Sequence, residues 1–428
     1  MKNTFEQVKI CPENQKWEQA NKRENSLYLR GNDIRSEFER DYTRLLHSQA
    51  YSRLKHKTQV FFAPHDDHIC TRMEHVNHVA SVSTTISKYL GLNTELTNAI
   101  AIGHDIGHAP FGHTGEEILN SLIKEQIPDA INAPKKFWHE RNSLFFADFI
   151  ETLNDPDGFK KNLDLTYAVR DGLICHCGEI DEQGLKPRND AINLYDIKRP
   201  GIVPPYTWEG CIVKVSDKIA FLGRDLEDAR TYHILDMSAY RQLREIVVST
   251  LGFGPNKKFS DHTTNGVHRS GRAVNTTVLI NDMIVDLCEQ SSVESGIRFS
   301  EPYYKFIKAL KSFCFANIYN HWRLVEFQKY AQTVLTCIYN TLLKTQIYAK
   351  NHRMEQFLRY SPNLSKTFID WLIKYTNYDL EKKQTLRYKT AQVFDIQDNA
   401  SWEKSIIEYI SGMTDQYAIK IFEEIVCF

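Results

Sequence analysis

GHDIGHAPFGHTGEE, residues 103–117, places three histidines, an aspartate and two glutamates among small and apolar residues. His104 is followed at once by Asp105, and helical spacing would set His104 and His108 one turn apart. Gly107, Pro110 and Gly112 then break the helix, so His113 and Glu116 open a new element that turns back toward the first. Surface histidines have no need of such apolar flanks, and packed core histidines have no need of adjacent carboxylates.

Working outward, the flanking chain reads as helix. From Thr71 to Leu90 the residues Val76, Val79, Ala80, Ile86 and Leu90 form a stripe, and Gly91 is a natural stop. Thr94 is expected to cap a second helix carrying Leu96, Ala99, Ile100 and Ile102. A third is expected over about 210–230, a long helical pair over about 303–349, and one final helix over about 402–425. Stretches 181–205, 252–272 and 395–400 read as loops. His75 falls on the first helix, one turn after Arg72, and Asp217 interrupts the apolar run GCIVKVSDKIAFL at 210–222. The expected class is all-α, divided into an N-terminal segment 1–40, a core 41–230 and a helical region 231–428 packed on it.

Composition agrees. The 428 residues carry 53 Lys plus Arg against 54 Asp plus Glu, a net charge of -1. That balance excludes a globally basic nucleic-acid coat or an acidic solvating tail. Of 16 histidines, nine lie between His47 and His113. The start, MKNTFEQVKICPENQKWEQ, holds no apolar stretch of signal-peptide length, and no window reads as a membrane span. Nine scattered cysteines suit reduced thiols and a cytoplasmic location. Cys175-His176-Cys177 has C-x-C rather than C-x-x-C spacing and no partner pair nearby, so buried thiols are expected there rather than a zinc knuckle.

Imidazole and carboxylate together suit Mn, Fe, Co, Ni or Zn, and Mg less well, and such a set with open positions describes a hydrolytic metal site. His75 alone would pass for a packed core residue, and Arg72 or Lys218 alone for a solvated charge. Lys218, Phe221 and Asp225 share a helical face beside Asp217, and Arg72 shares one with His75.

His75, His104–Asp105 and Asp217 match the H…HD…D signature of the HD phosphohydrolase superfamily. More narrowly, the chain resembles the deoxynucleoside triphosphate triphosphohydrolases, the dGTPase-like family. The resemblance rests on RLKHKTQVF (53–61), TRMEHV (71–76), HDIGHAPFGHTGEE (104–117), FWHERNS (137–143), DKIAFLGRDLEDA (217–229) and YISGMTDQYA (409–418). It implies that His75, His104, Asp105 and Asp217 hold one divalent ion (Mn, Mg, Fe, Co or Ni), with His108, His113, Glu116 and His139 as the catalytic group. It implies that Arg72 and Lys218 grip the triphosphate, with Phe221 alongside, and that Gln59 and Asp225 meet the sugar 3′-hydroxyl. The implied reaction splits dGTP or several dNTPs into deoxynucleoside and inorganic triphosphate, with His113 as general base or acid oriented by Glu116, and with His113 or His139 protonating the leaving 5′ oxygen. The resemblance also implies a homo-oligomer of hexamer type and admits an allosteric nucleotide or single-stranded DNA as partner. Phe221 stands where many relatives have Tyr, Gln416 where Arg is common, and Cys177 where a second His often follows His176. Two other readings remain: an HD-type hydrolase of a monophosphate, cyclic nucleotide or alarmone, and a nucleotide or nucleic-acid sensor without turnover. The second would use the basic loop of Lys257, Lys258, His268, Arg269 and Arg272.

Overall fold

Thr71 and Glu74 start the helix that carries the first candidate ligand. In the computed structural model of the chain, the Thr71 hydroxyl accepts from the Glu74 N–H and the Glu74 carboxylate accepts from the Thr71 N–H. This reciprocal cap satisfies two orphan donors. The helix runs Arg72–Leu90 and ends at Gly91, whose φ of +86° is the left-handed geometry that glycine adopts most readily. The structure describes residues 5–28, 33–62, 69–123, 136–178, 183–252, 276–357, 359 and 361–427. The basic loop residues Lys257 to Arg272 lie outside them.

Asn93, not Thr94, caps the next helix. Its side-chain oxygen accepts from the N–H groups of Glu95 and Leu96, so Thr94 becomes the first residue of Thr94–Gly103. The third helix spans Trp208–Thr231, capped by Thr207. These three helices pack on one another, the first against both others. The long pair divides into Glu301–Cys314, a wider π-type turn Phe315–Tyr319, Trp322–Leu343 and Gln346–Lys350. The single final helix is two, Asn399–Ser411 and Asp415–Val426. The Thr414 hydroxyl caps the second of them, and the break between turns Asp415 inward. Asp398 caps Asn399–Ser411, so the preceding break is shorter than expected. Stretch 181–205 is not all loop, since Gln183–Leu185 forms a strand.

Among the described residues, strands occur only as two short antiparallel pairs, Thr152–Asn154 with Lys160–Asn162 and Gln183–Leu185 with Ile297–Arg298. The class is all-α. No helix of the described residues is long and apolar enough to cross a membrane. The two largest apolar clusters each draw on both sides of residue 230. One joins Val76, Ile100 and Val213 to Val334, Phe368 and Ile406, and the other joins Ile86 and Leu222 to Leu279 and Phe306.

Helix Thr94–Gly103 ends before His104, so His104 and His108 sit on a tight turn rather than a helical face. That turn lies flat against helix His139–Phe145. A Cβ on Gly107 would stand 2.0 Å from the Ser143 nitrogen and 2.6 Å from the His139 carbonyl oxygen. Gly107→Ala is therefore expected to lower the unfolding free energy by about 3 kcal/mol, at the upper end of overpacking costs. Gly252 is left-handed (φ +69°) but faces open space, so Gly252→Ala should cost only about 1 kcal/mol. Urea denaturation of both variants checks this, and equal losses would refute the close-packing account.

Candidate metal centre and active site

Two helices, Arg72–Leu90 and Trp208–Thr231, and the turn that carries His104 and Asp105 bring the expected ligands together. His75 Nε2 lies 2.9 Å from Asp217 Oδ1, and His104 Nε2 lies 3.5 Å from Asp105 Oδ1 and 3.9 Å from Asp217 Oδ1. Asp105 Oδ2 accepts from Arg72 Nη1 at 2.8 Å. All but Asp217 are almost wholly buried. His104 Nδ1 donates to the Ala101 carbonyl at 2.6 Å, because a carbonyl can only accept; the lone pair therefore sits on Nε2, which has no partner. Arg72 is buried rather than solvated, and its Nε and Nη2 are unpartnered after the bond to Asp105. A buried set of two imidazoles and two carboxylates with an open lone pair fits a divalent cation.

Burial would raise both aspartates, but the imidazoles overrule it. His75 holds Asp217 down to about 2, and His104, His108 and Arg72 hold Asp105 well below the usual carboxylate range. Burial and then Arg72 push His108 well down, so it is neutral.

The catalytic group expected from the sequence also assembles. The rings of His108 and His139 are 3.8 Å apart, and His113 stands 5.4 Å from the first and 5.6 Å from the second. Glu116 is shared unevenly: its Oε2 is 3.0 Å from His139 Nδ1 and 3.8 Å from His113 Nδ1. His113 is 73% exposed while His139 is buried, so the carboxylate holds the inner ring more closely than the outer one that it was expected to orient.

Among the residues expected to meet substrate, Asp225 is buried and accepts from the Tyr319 hydroxyl at 2.5 Å, while its other oxygen has no partner. Burial lifts its carboxyl to about 6 against the pull of that hydroxyl. The Gln59 side-chain oxygen is likewise buried and unpartnered. Phe221 is half-buried against the second core cluster. Lys218 lines a largely apolar cavity with Lys214, Leu222, Met283 and Ile307.

Several residues of the site were missed in the sequence. His176 is buried with Nδ1 donating to the Leu173 carbonyl, and its free Nε2 lies 4.0 Å from Asp105 Oδ1. The two thiols beside it face apart, Cys175 toward Asp171 and Cys177 toward His139, so no C-x-C chelate forms. Glu140, buried next to His139, was passed over in FWHERNS although its adjacency was visible. Asn142 donates to the Gly107 carbonyl at 2.7 Å, and the Ser143 hydroxyl donates to the His104 carbonyl at 2.7 Å. Lys57 donates to the carbonyls of His108 and Ser411. Asp415 accepts from the N–H groups of Thr58 and Phe111, each at 2.8 Å. That pair of bonds holds Phe111 in a left-handed conformation, φ +64°, just before His113.

The HD domain family matches residues 72–222, the interval that contains every expected ligand above. A deoxyguanosinetriphosphate triphosphohydrolase-like protein of Caldanaerobacter subterraneus subsp. tengcongensis is 30% identical over 393 residues, covering 92% of this chain and 86% of that one. The chain belongs to this family. A relative of the same description from Clostridium tetani is 30% identical over 424 residues, 98% of this chain and 94% of its own. A third, from Desulfatibacillum aliphaticivorans, is 34% identical over 289 residues, 67% of each chain. In this family member, the matched motifs and the buried donor cluster coincide.

The Glu116–His139 pair predicts a pH signature in the metal-stripped protein. Burial alone would lower His139, but Glu140 and Glu116 lift it from 6.5 to about 9. Stabilisation of its protonated form is thus complete below 6.5 and lost as pH rises through about 9. Burial alone would raise Glu116, but His139 and His113 lower it from 4.5 to about 2. Its contribution is complete above 4.5 and lost as pH falls through about 2. Both contributions coexist from about pH 4.5 to 6.5. Glu116→Gln should therefore destabilise most near pH 5.5 and progressively less toward pH 9.5, read by urea unfolding at both ends. A gap independent of pH would remove the pair as its cause.

Proposed function

We propose that the chain is a metal-dependent phosphohydrolase that cleaves deoxynucleoside triphosphates, dGTP or several dNTPs, to deoxynucleoside and inorganic triphosphate. The observation that carries this reading is a set of buried polar atoms without a hydrogen-bond partner. Two are nitrogens of Arg72, the residue bonded to Asp105, and the free Asp225 and Gln59 oxygens offer further unmet hydrogen-bonding capacity. Cationic nitrogens suit phosphoryl oxygens, and carboxylate and amide oxygens suit a sugar hydroxyl. His75, His104, Asp105 and Asp217 would hold the ion. When bound, a divalent ion there supplies Lewis-acid polarisation of a phosphoryl oxygen and a more acidic water. Mn, Fe, Co or Ni suits the imidazoles better than Mg.

The chain's own residues supply the rest. Arg72 binds the phosphates while fixing Asp105. Lys218 adds positive charge on the helix of Asp217, and Phe221 offers it an apolar wall in place of a hydroxyl. Asp225, held by Tyr319, and Gln59 recognise the 3′-hydroxyl. His113 is exposed and so is free to reach the leaving 5′ oxygen and protonate it. Glu116 and His139 sit behind His113, and neutral His108 completes the group. Family likeness supports a homo-oligomer, and exposed Phe315, Trp322 and Tyr330 offer apolar surface for one.

Incubation with each dNTP and Mn or Mg, with products resolved by ion-exchange chromatography, tests the reaction. Inorganic triphosphate is the expected product, whereas orthophosphate or pyrophosphate would favour a different HD-type hydrolase. His113→Ala should lower kcat by ~10²–10⁴-fold with metal content unchanged. A full rate in that variant would sink its role as proton donor. Tyr319→Phe should raise KM for the deoxynucleotide more than it lowers kcat, because it frees Asp225 without touching the phosphates.

A further inference from the structure

We propose that Asp415 is a positioning residue of the reaction, with one buried carboxylate fixing the segment of Gln59 and the turn of His113 to each other. This role rests on the functions proposed for Gln59 and His113.

Asp415 opens the last helix and is 1% exposed. Its two oxygens bond to two separate segments. Oδ2 accepts from the Thr58 N–H and Oδ1 from the Phe111 N–H, each at 2.8 Å. Thr58 directly precedes Gln59, and Phe111 stands two residues before His113. A carboxylate is a rigid pair of acceptors, so the two N–H groups keep one separation.

On the His113 side, Phe111 precedes helix Gly112–Leu122, which has no side-chain cap. Phe111 is left-handed, a conformation that a bulky residue avoids unless its surroundings impose it. Its ring stands 5.9 Å from that of Phe62 and 5.7 Å from that of Phe327. The Asp415 bond and these rings together fix the direction in which the helix leaves. His113 lies in the first turn of that helix and is 73% exposed, so packing does little to place its ring. The turn before it decides where the imidazole stands.

On the Gln59 side, the Lys57 carbonyl accepts from the Arg72 N–H at 3.0 Å, which ties the same segment to the residue proposed to bind phosphate. The two segments also touch. A Cβ on Gly112 would stand 3.0 Å from Arg72 Nη2 and 3.4 Å from the Gln59 carbonyl oxygen. Nearby, Asn142 joins the Gly107 carbonyl to the Ser411 hydroxyl, at 2.7 and 3.1 Å, and so braces the near end of the turn. Asp415 sets its far end.

The 3′-hydroxyl and the leaving 5′ oxygen belong to one sugar ring and keep a nearly constant separation. A site that holds Gln59 and His113 from one carboxylate matches that span. Capture of the 3′-hydroxyl then brings the 5′ oxygen against His113. A carboxylate that served only the fold would instead help nucleotides with and without a 3′-hydroxyl alike.

The test loads the full chain with Mn2+ and compares the dNTP cleaved fastest with its 2′,3′-dideoxy counterpart. Asp415→Ala removes both acceptors. It should lower kcat for the dNTP ~10²-fold and lose much of the preference for the 3′-hydroxyl in kcat/KM. Added to Gln59→Ala, it should change that preference no further, because both act through one contact. Thr414→Ala removes the cap of the same helix, a bond from the Tyr417 N–H, and touches neither segment. It should lower stability to urea and leave the preference unchanged. If Asp415→Ala fails to fold, Asp415→Asn keeps the size and one acceptor but turns an NH2 toward the other N–H. That variant should lose kcat, the preference, or both. Equal losses on the two nucleotides in Asp415→Ala, or an Asp415→Asn enzyme that matches Thr414→Ala in kcat and preference, would overturn this role alone. A wild-type chain that cleaves no dNTP would refute the reaction and this role with it.

Discussion

A buried carboxylate must find positive charge or lose its own. Asp105 sits 3% exposed at the centre of this molecule, bonded to Arg72 and faced by His75, His104, His108 and His176. Helix Arg72–Leu90 delivers Arg72 and His75, the chain leaving helix Thr94–Gly103 delivers His104 and His108, and the end of helix Tyr167–Cys175 delivers His176. Their packing is arranged so that one anion is answered from every side. The unpartnered Nε2 atoms of His104 and His176 lie beside it, which suits the cluster to a cation.

That arrangement is held by backbone bonds from distant parts of the chain. Ser143 and Asn142 fasten the turn that carries His104, while Lys57 and Asp415 fasten the stretch from His108 to Phe111. Lys57 also reaches the Ser411 carbonyl, and Asp415 opens the last helix. The C-terminal helices are thereby part of the wall of the site and share its core. A strained residue such as Phe111 persists because Asp415 overdetermines it.

Charge neutrality across the whole chain is compatible with an anionic substrate because the positive charge is local. Arg72 lies buried beside Asp105 with two nitrogens left over, and Asp225 is tied by Tyr319 with one oxygen left over. Unspent hydrogen-bonding capacity in a buried site is rare and marks where another molecule completes the network.

Helix periodicity, caps and glycine stops made the all-α class and the limits of Arg72–Leu90 readable from residues alone, because these signals are local. His75, His104, Asp105 and Asp217 could be picked out for a related reason: a buried carboxylate beside histidine in an apolar run breaks the pattern of its own segment. Tertiary structure alone decided that His176 faces Asp105, that Glu116 leans on His139 more than on His113, and that Tyr319 holds Asp225. Each of these depends on which helices meet and at what rotation, which no single segment encodes. The break that splits the last helix and sends Asp415 to Phe111 belongs with them, since the partner lies 304 residues away.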